Sequence, residues 1–395
     1  MKNISYPLLA LLLAFLNAIG PFSIDAYLPA FPSMEQALNT DAVAMQQSLT
    51  AYMIPFSIMM LWHGSISDAL GRRRVIVAGL VVYFLASLLC ALAPNVHVLI
   101  IGRVLQGLSA GSGVIVGRAV VRDVLDGPAA QRMMSHVAMV FAVAPAIAPI
   151  MGGALTEAFG WRSIFFFLVL LAAAQIFMTL RFLPETLPPE KRQPLQPRNL
   201  LAGYLAVLGS GRFVLIALSM SFIFLGFFLY VMSAPVFLMQ HLGLTATQFG
   251  YLFVPLVIGM ICGSLTAVKL SHRLSTTRII QLAFCISAIA AVWNIAANVF
   301  LPETVLTRIP QLALQTFAMN LAFPSLTLMA LDMFPERRGM AASCQGFIHT
   351  LIMSFVAGIL APLLWDSTLQ MAIAMAVMWC LSVGFYLWSH SLTKH

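Results

Sequence analysis

The sequence predicts an all-α membrane protein with twelve transmembrane helices in two pseudo-symmetric six-helix bundles. Three observations carry that expectation. Hydrophobic residues make up 61% of the chain and charged residues only 9%, where a soluble domain carries about 25% charge. The apolar runs are long and unbroken, as in VIVAGLVVYFLASLLCALA at 75–93, and only a helix satisfies its own backbone along such a run in lipid. Finally, twelve such runs recur, and twelve spans of about 20 residues need about 240 residues, which the chain of 395 accommodates with short loops. Strands of a barrel would alternate apolar and polar residues over about 10 positions, and these runs do not.

The expected spans are 6–30, 43–66, 75–94, 97–118, 133–155, 163–183, 212–238, 247–268, 278–300, 306–330, 341–364 and 369–389. The first run resembles a signal peptide in length, but no small-x-small cleavage site follows it. It is therefore read as an uncleaved span. Threading the chain through these spans puts all of the 21 Lys and Arg except Arg103, Arg162 and Arg308 on the side that carries both termini, with Lys2 and Lys394 in the tails. That side is cytoplasmic by the positive-inside rule. The net charge of +8 is thus a topology signal spread over short loops, which argues against a nucleic-acid partner. The five cysteines are scattered through apolar runs without metal or redox spacing, so no metal site and no cofactor are expected. No nucleophile–base pair, phosphate loop or sizeable soluble segment points to an enzyme.

The longest polar stretch, PETLPPEKRQPLQPRN at 184–199, is rich in proline and charge. It reads as a cytoplasmic linker over 184–211, leaving bundles at 1–183 and 212–395. The halves share weak echoes about two hundred residues apart. SLTAY-MIPF is echoed by TQFGY-LFVPL, YLPAF by SAPVF, RVLQ at 103 by RIPQ at 308, and DALGRRR by HRLSTTR. Repeats of this kind typify secondary transporters, whose substrate site lies near the membrane midplane.

Three local motifs stand out. In GSISDALGRRRV (64–75), Gly64 would let helices approach closely, Asp68 can accept from a helix N-terminus or pair with an arginine, Gly71 suits a tight turn, and Arg72, Arg73 and Arg74 would face the cytoplasm or anionic headgroups. A plain basic loop that fixes topology is the other reading of this stretch. In APAIAPIMGG (144–153), Pro145 and Pro149 each remove a backbone donor inside a helix and permit a kink, while Gly152 and Gly153 thin it for packing. Ordinary transmembrane Gly and Pro usage also accounts for that segment. RVLQGLSAGSG (103–113) is the third.

These three stretches resemble signatures of the major facilitator superfamily: the loop between its second and third spans, its fourth span, and its fifth-span antiporter motif. Together with SIDAYLPAFP and ETLPPEKRQP, they resemble the bicyclomycin and chloramphenicol resistance (Bcr/CflA) branch of drug:proton antiporters. The resemblance implies proton-coupled export of small, drug-like compounds by alternating access, in a monomer embedded in the lipid of a bacterial inner membrane. It implies that Asp68 belongs to a latch favouring the outward-facing state, and that the fifth span seals one side while the other is open. The signature usually has glycine where this chain has Ala144 and Ala148. That departure keeps an alternative in play, an uptake carrier or facilitator for a sugar or organic acid.

Of the thirteen acidic residues, Asp25 alone falls inside an expected span; Asp126, for example, falls in a loop. An ionised group at the bilayer centre costs roughly 2.5–3.5 kcal/mol on insertion scales. Arg103 is the most deeply embedded base. The resemblance places the first and fourth spans along one cavity, so Asp25 and Arg103 are read as a proton-coupling pair. The competing readings are that Asp25 caps a helix break before Pro29 or lies at the lipid headgroups, and that Arg103 is a structural anchor. Aromatic, Met and polar residues suited to amphipathic ligands give the expected substrate lining: Asn17, Tyr27, Tyr52, Met53, Phe227, Tyr230, Gln315, Asn320, Gln345 and His349. Each also has an ordinary reading as helix packing.

Overall fold

A computed structural model describes residues 5–125 and 127–392. Lys2, Asp126 and Lys394 lie outside them. Among the described residues there is no strand. Eleven helices are long and apolar enough to cross a membrane, and the fifth span, Gly127–Phe159, completes twelve. The chain divides into two compact units, Met1–Pro197 and Arg198–His395.

In the N-terminal unit the first span, Tyr6–Ala37, is not one helix. It is built from Tyr6–Asn17, Ile19–Ile24, a short 3₁₀ turn Leu28–Ala30, and Phe31–Ala37. Pro21, Pro29 and Pro32 explain the breaks, because each lacks the N–H that the ladder needs. The other spans are Ala42–Leu70, Arg72–Ala91, Val96–Val124, Gly127–Phe159 and Arg162–Phe182. The second and fourth begin at side-chain caps: Asp41 accepts from Ala44 N at 2.7 Å and Asn95 from Val98 N at 3.1 Å. Such caps satisfy amides that the helix cannot. The fourth span packs against the second and third, and the first against the fifth. The fourth can come so close because a Cβ at Gly107 would collide with the Tyr52 carbonyl. Small residues that let backbones touch are the usual means of helix association in lipid.

A helix absent from the sequence expectation, Pro197–Leu208, starts at the boundary between the units and leads into the C-terminal one. The proline at its first position is compatible with a helix start, and Gly203 rests against Met340. The spans follow at Gly211–Met232, Gly250–Ser271, Thr276–Phe300, Pro310–Leu331, Arg338–Phe355 and Thr368–Ser391. The seventh continues through a π-helical turn, Pro235–His241, and the eleventh through another, Val356–Leu360. Here too one span crosses another on a glycine, where Gly259 of the eighth meets the Ala313 carbonyl of the tenth.

The repeat survives at the level of contacts, with one change of partner. In the N-terminal unit Gln106 donates to Ser87 Oγ at 2.8 Å and Arg103 to the Ser23 carbonyl at 3.0 Å. In the C-terminal unit Gln315 alone performs both tasks, accepting from Ser287 Oγ at 2.6 Å and donating to the Ile223 carbonyl at 3.0 Å. Arg308, the expected counterpart of Arg103, does something else. It donates to the carbonyls of Ala297 and Leu301 at the end of the ninth span, where the unsatisfied carbonyls and the negative end of the helix dipole favour a cation.

Candidate transport site

Asp25 is the residue immediately after the short helix Ile19–Ile24, at the principal break of the first span, and is only 7% exposed. It is neither at the end of a continuous helix nor open to solvent. Neighbouring spans grip the chain on both sides of it. Arg103 of the fourth span holds the Ser23 carbonyl two residues before it. Gly152 of the fifth span abuts the Ala26 carbonyl one residue after it, so closely that a Cβ there would overlap it. The break is therefore a built feature, fixed by one arginine and one glycine.

Arg103 is fully buried, at 0% exposure. It and Asp25 form no ion pair; among the described residues the ion pairs are Arg72–Asp68, Arg72–Asp123 and Arg338–Asp332. Instead the guanidinium donates to Gln106 Oε1 at 2.8 Å and to the Ser23 carbonyl, and it lies 4.7 Å from the Tyr27 ring centre and 4.5 Å from that of Tyr52. Cation–π contact with a desolvated guanidinium is worth about 2 kcal/mol or more, and together with two carbonyl acceptors this holds a charge that has no counter-ion. The Nε–H has no partner. Ser23 Oγ and Tyr83 Oη share a short hydrogen bond of 2.5 Å, and Tyr27 Oη and Ser48 Oγ one of 2.6 Å. The result is a continuous polar network through the first four spans.

This arrangement changes the reading of several lining candidates. Tyr27, Tyr52 and Met53 are each at 1% exposure or less, packed within the N-terminal unit. Asn17 is tied back to the Leu13 carbonyl at 2.7 Å. In the C-terminal unit Tyr230 accepts from Asn294 Nδ2 at 2.7 Å, Gln315 is used up by Ser287 and Ile223, and Asn320 is bonded to the Thr316 carbonyl and Ser264. The aromatic group that does assemble is Phe224, Phe227, Phe323 and His349, with ring centres of Phe224 4.8 Å from Phe227 and 4.6 Å from His349. His349 Nδ1 faces Ser221 Oγ at 3.3 Å, and Gln345 donates to Met220 Sδ at 3.1 Å nearby. Gln106, Ser23, Ser87 and Tyr83 were not foreseen. The one signal for Gln106 was its place three residues after Arg103, which puts both on one helix face.

The loop after the second span is the other organised feature. Gly71 has φ 101°, a conformation that glycine adopts at little cost. Arg72 does not face the cytoplasm or headgroups as its sequence context predicts. It is 7% exposed and bridges Asp68 at 2.5 Å, Asp123 at 2.9 Å and Ser67. Two carboxylates offset the cost of burying it. Arg73 donates to the Leu180 carbonyl, and Arg74 is exposed. Gly64 makes no close approach: beyond its own stretch of helix, no atom lies within 4 Å of where its Cβ would be. The stretch read as a linker is docked here. Glu185 Oε1 accepts from the Arg72 N–H at 2.8 Å, Thr186 Oγ1 donates to Asp123 at 2.9 Å, and the Gln193 N–H donates to the Asp68 carbonyl at 3.1 Å. Glu185 thereby caps the third span and occupies the space a Cβ at Gly71 would need. In the fifth span Pro149 and Gly153 are buried with Gly152, and Pro145 is half-buried.

The sequence pattern of the Major Facilitator Superfamily matches residues 11–349. The chain belongs to that superfamily. It is a multi-pass membrane protein of a transporter family, not an enzyme family. Within the superfamily it is similar to the uncharacterized transporter YdgK of Bacillus subtilis, 31% identical over 88% of this chain and 87% of that one. It is also similar to Multidrug resistance protein D of Escherichia coli, 29% identical over 90% and 89%, and to a bicyclomycin resistance protein homolog of Haemophilus influenzae, 27% identical over 95% and 94%. Among solved structures, the human organic anion transporter MFSD10 (TETRAN) superposes with a TM-score of 0.70 at 18% identity, covering 96% of this chain and 100% of that one. That likeness is one of fold.

Proposed function

We propose that this superfamily member exports small amphipathic or apolar compounds from the bacterial cytoplasm in exchange for protons, by alternating access, with both termini cytoplasmic. The names of the similar proteins, Multidrug resistance protein D and bicyclomycin resistance protein homolog, support the substrate class. The observation that carries the coupling is Asp25, buried at a break in the first span and clasped between Arg103 and Gly152. A helix break frees the carboxylate to move with small backbone changes. The buried guanidinium that holds the Ser23 carbonyl keeps one N–H unspent for a passing anion or dipole. A proton taken up at Asp25 neutralises it for one half of the cycle; its release accompanies the return. Each charge crossing 100 mV yields about 2.3 kcal/mol, which drives export against a concentration ratio. The Phe224, Phe227, Phe323 and His349 group, with Gln345, offers substrate an aromatic face and a few polar atoms.

The test is transport into proteoliposomes under an imposed pH gradient, native chain against Asp25→Asn. The native chain should accumulate drug with the gradient and release protons on drug addition to purified protein. Asp25→Asn should bind drug yet fail to couple. Undiminished gradient-driven accumulation by the variant sinks the assignment of Asp25. Gradient-driven movement of sugars or organic acids with no drug-induced proton release would point to the uptake carrier instead.

A further inference from the structure

The C-terminal unit carries a groove that neither the transport site nor the loop latch uses. It lies between the ninth span, Thr276–Phe300, and the twelfth, Thr368–Ser391. Its volume is about 280 Å³, and its walls include Gln281, Phe284, Ala288, Trp379, Val383 and Tyr386. Small side chains at Ala288 and Val383 leave the hollow, and large ones fix its two ends. At one end the Trp379 indole donates to the Phe284 carbonyl at 2.9 Å, so its ring cannot swing in to fill the space. At the other, the Tyr386 ring packs on Phe284 at 5.4 Å and His390 at 4.5 Å. The groove opens on the outer face of the bundle, beside exposed Leu282, Ile289, Leu387 and Trp388, which a membrane protein turns to lipid.

Three features say what fills it. The walls are almost wholly apolar, and the volume is below the ~300–1,000 Å³ of drug-sized pockets, which suits one acyl chain. The residues from Gln281 to Ala288 lie five to twelve positions in from the helix start, roughly 8–18 Å along the axis, the depth of one leaflet of a ~30 Å core. The end of the groove is basic: Arg278 stands one turn before Gln281 and Arg273 precedes the helix, both exposed and neither in an ion pair among the described residues. The sequence has no acid at 269–285 or 380–392. The Gln281 amide is exposed at the groove edge without a hydrogen-bond partner among the described residues. A bare amide facing hydrocarbon is costly, and an ester carbonyl would satisfy it.

We propose that this groove holds one acyl chain of an anionic phospholipid, with the phosphate on Arg278 and a glycerol ester on Gln281. The experiment uses the full chain in nanodiscs, reduced to Trp379 as its single tryptophan, with brominated phosphatidylglycerol or brominated phosphatidylcholine of identical chains. Quenching should show phosphatidylglycerol enriched at the groove by about fivefold over its bulk mole fraction. Phosphatidylcholine should follow its bulk fraction. Arg278→Gln should abolish the preference, and Ala288→Phe should lower quenching by both lipids. Should the single-tryptophan chain fail to fold, phosphatidylglycerol retained by the detergent-purified native chain and by Arg278→Gln, counted by native mass spectrometry, decides the matter. Equal quenching by both lipids, or equal retention by chain and variant, means unselective boundary lipid and overturns the proposal.

Discussion

At the residue scale, the chain spends its few membrane-embedded charges in different ways. Arg308 serves helix-end carbonyls, and Arg162 likewise donates to the Ala93 carbonyl just past the third span. Arg103 holds a break open from the side, with two ring faces and two acceptors but no carboxylate. Lysine cannot reproduce a planar fork that stacks and donates in two directions. Arg103→Lys should therefore lower the initial rate of transport by roughly tenfold or more, given about 1.5–3 kcal/mol for one lost hydrogen bond to a charged group. Rates in proteoliposomes at matched protein content check this, and a variant as fast as the native chain would show that the fork is dispensable. At Gly152 the constraint is space rather than charge. Gly152→Val should push the fifth span off the Ala26 carbonyl and reduce transport while leaving membrane insertion unchanged, as read by quantitative blotting.

At the scale of elements, the segment after the sixth span is a strap rather than a tether. Its Glu185 is aimed at the start of the third span, where an acid gains about 0.3–1 kcal/mol from the helix dipole, and it sits where Gly71 has no side chain. Gly71→Ala would meet both a strained φ, costing of the order of 1–3 kcal/mol, and the Glu185 carboxylate at 2.6 Å. The two substitutions should thus be non-additive. Gly71→Ala should cost less thermal stability in the Glu185→Ala background than alone, measured by unfolding of the purified protein in detergent. Additive losses would show that strap and turn are independent.

For the whole molecule, each unit has its own core and its own polar network. Fragments 1–197 and 198–395, expressed together, should each insert and together restore transport; loss of either fragment to proteolysis when both are present would count against two self-contained units. The Asp68–Arg72–Asp123 cluster belongs to the transport cycle as a latch in our reading. Asp68→Asn should cripple export while expression and insertion persist, because Arg72 keeps Asp123 and the turn keeps its shape. Normal export by a well-inserted variant would leave the cluster with only a folding role.

Long apolar runs determined the helical membrane fold, because lipid permits so few ways to satisfy a backbone and because charge is costly enough there to be conspicuous. Asp25 and Arg103 were legible for that same reason, as were Gly71 and the turn. What the string of residues did not contain was direction. It could not show that Arg103 turns to Ser23 and two tyrosines rather than to Asp25, that Arg72 folds inward onto two acids, or that Gln315 rather than Arg308 takes the role of Arg103 in the second unit. Nor could it show that a proline-rich stretch returns to cap a helix more than a hundred residues upstream. Each of these depends on which faces of distant helices meet. That is settled by close packing on glycines such as Gly107 and Gly152, and by the need of every buried polar atom for a partner, neither of which is a property of neighbours along the chain.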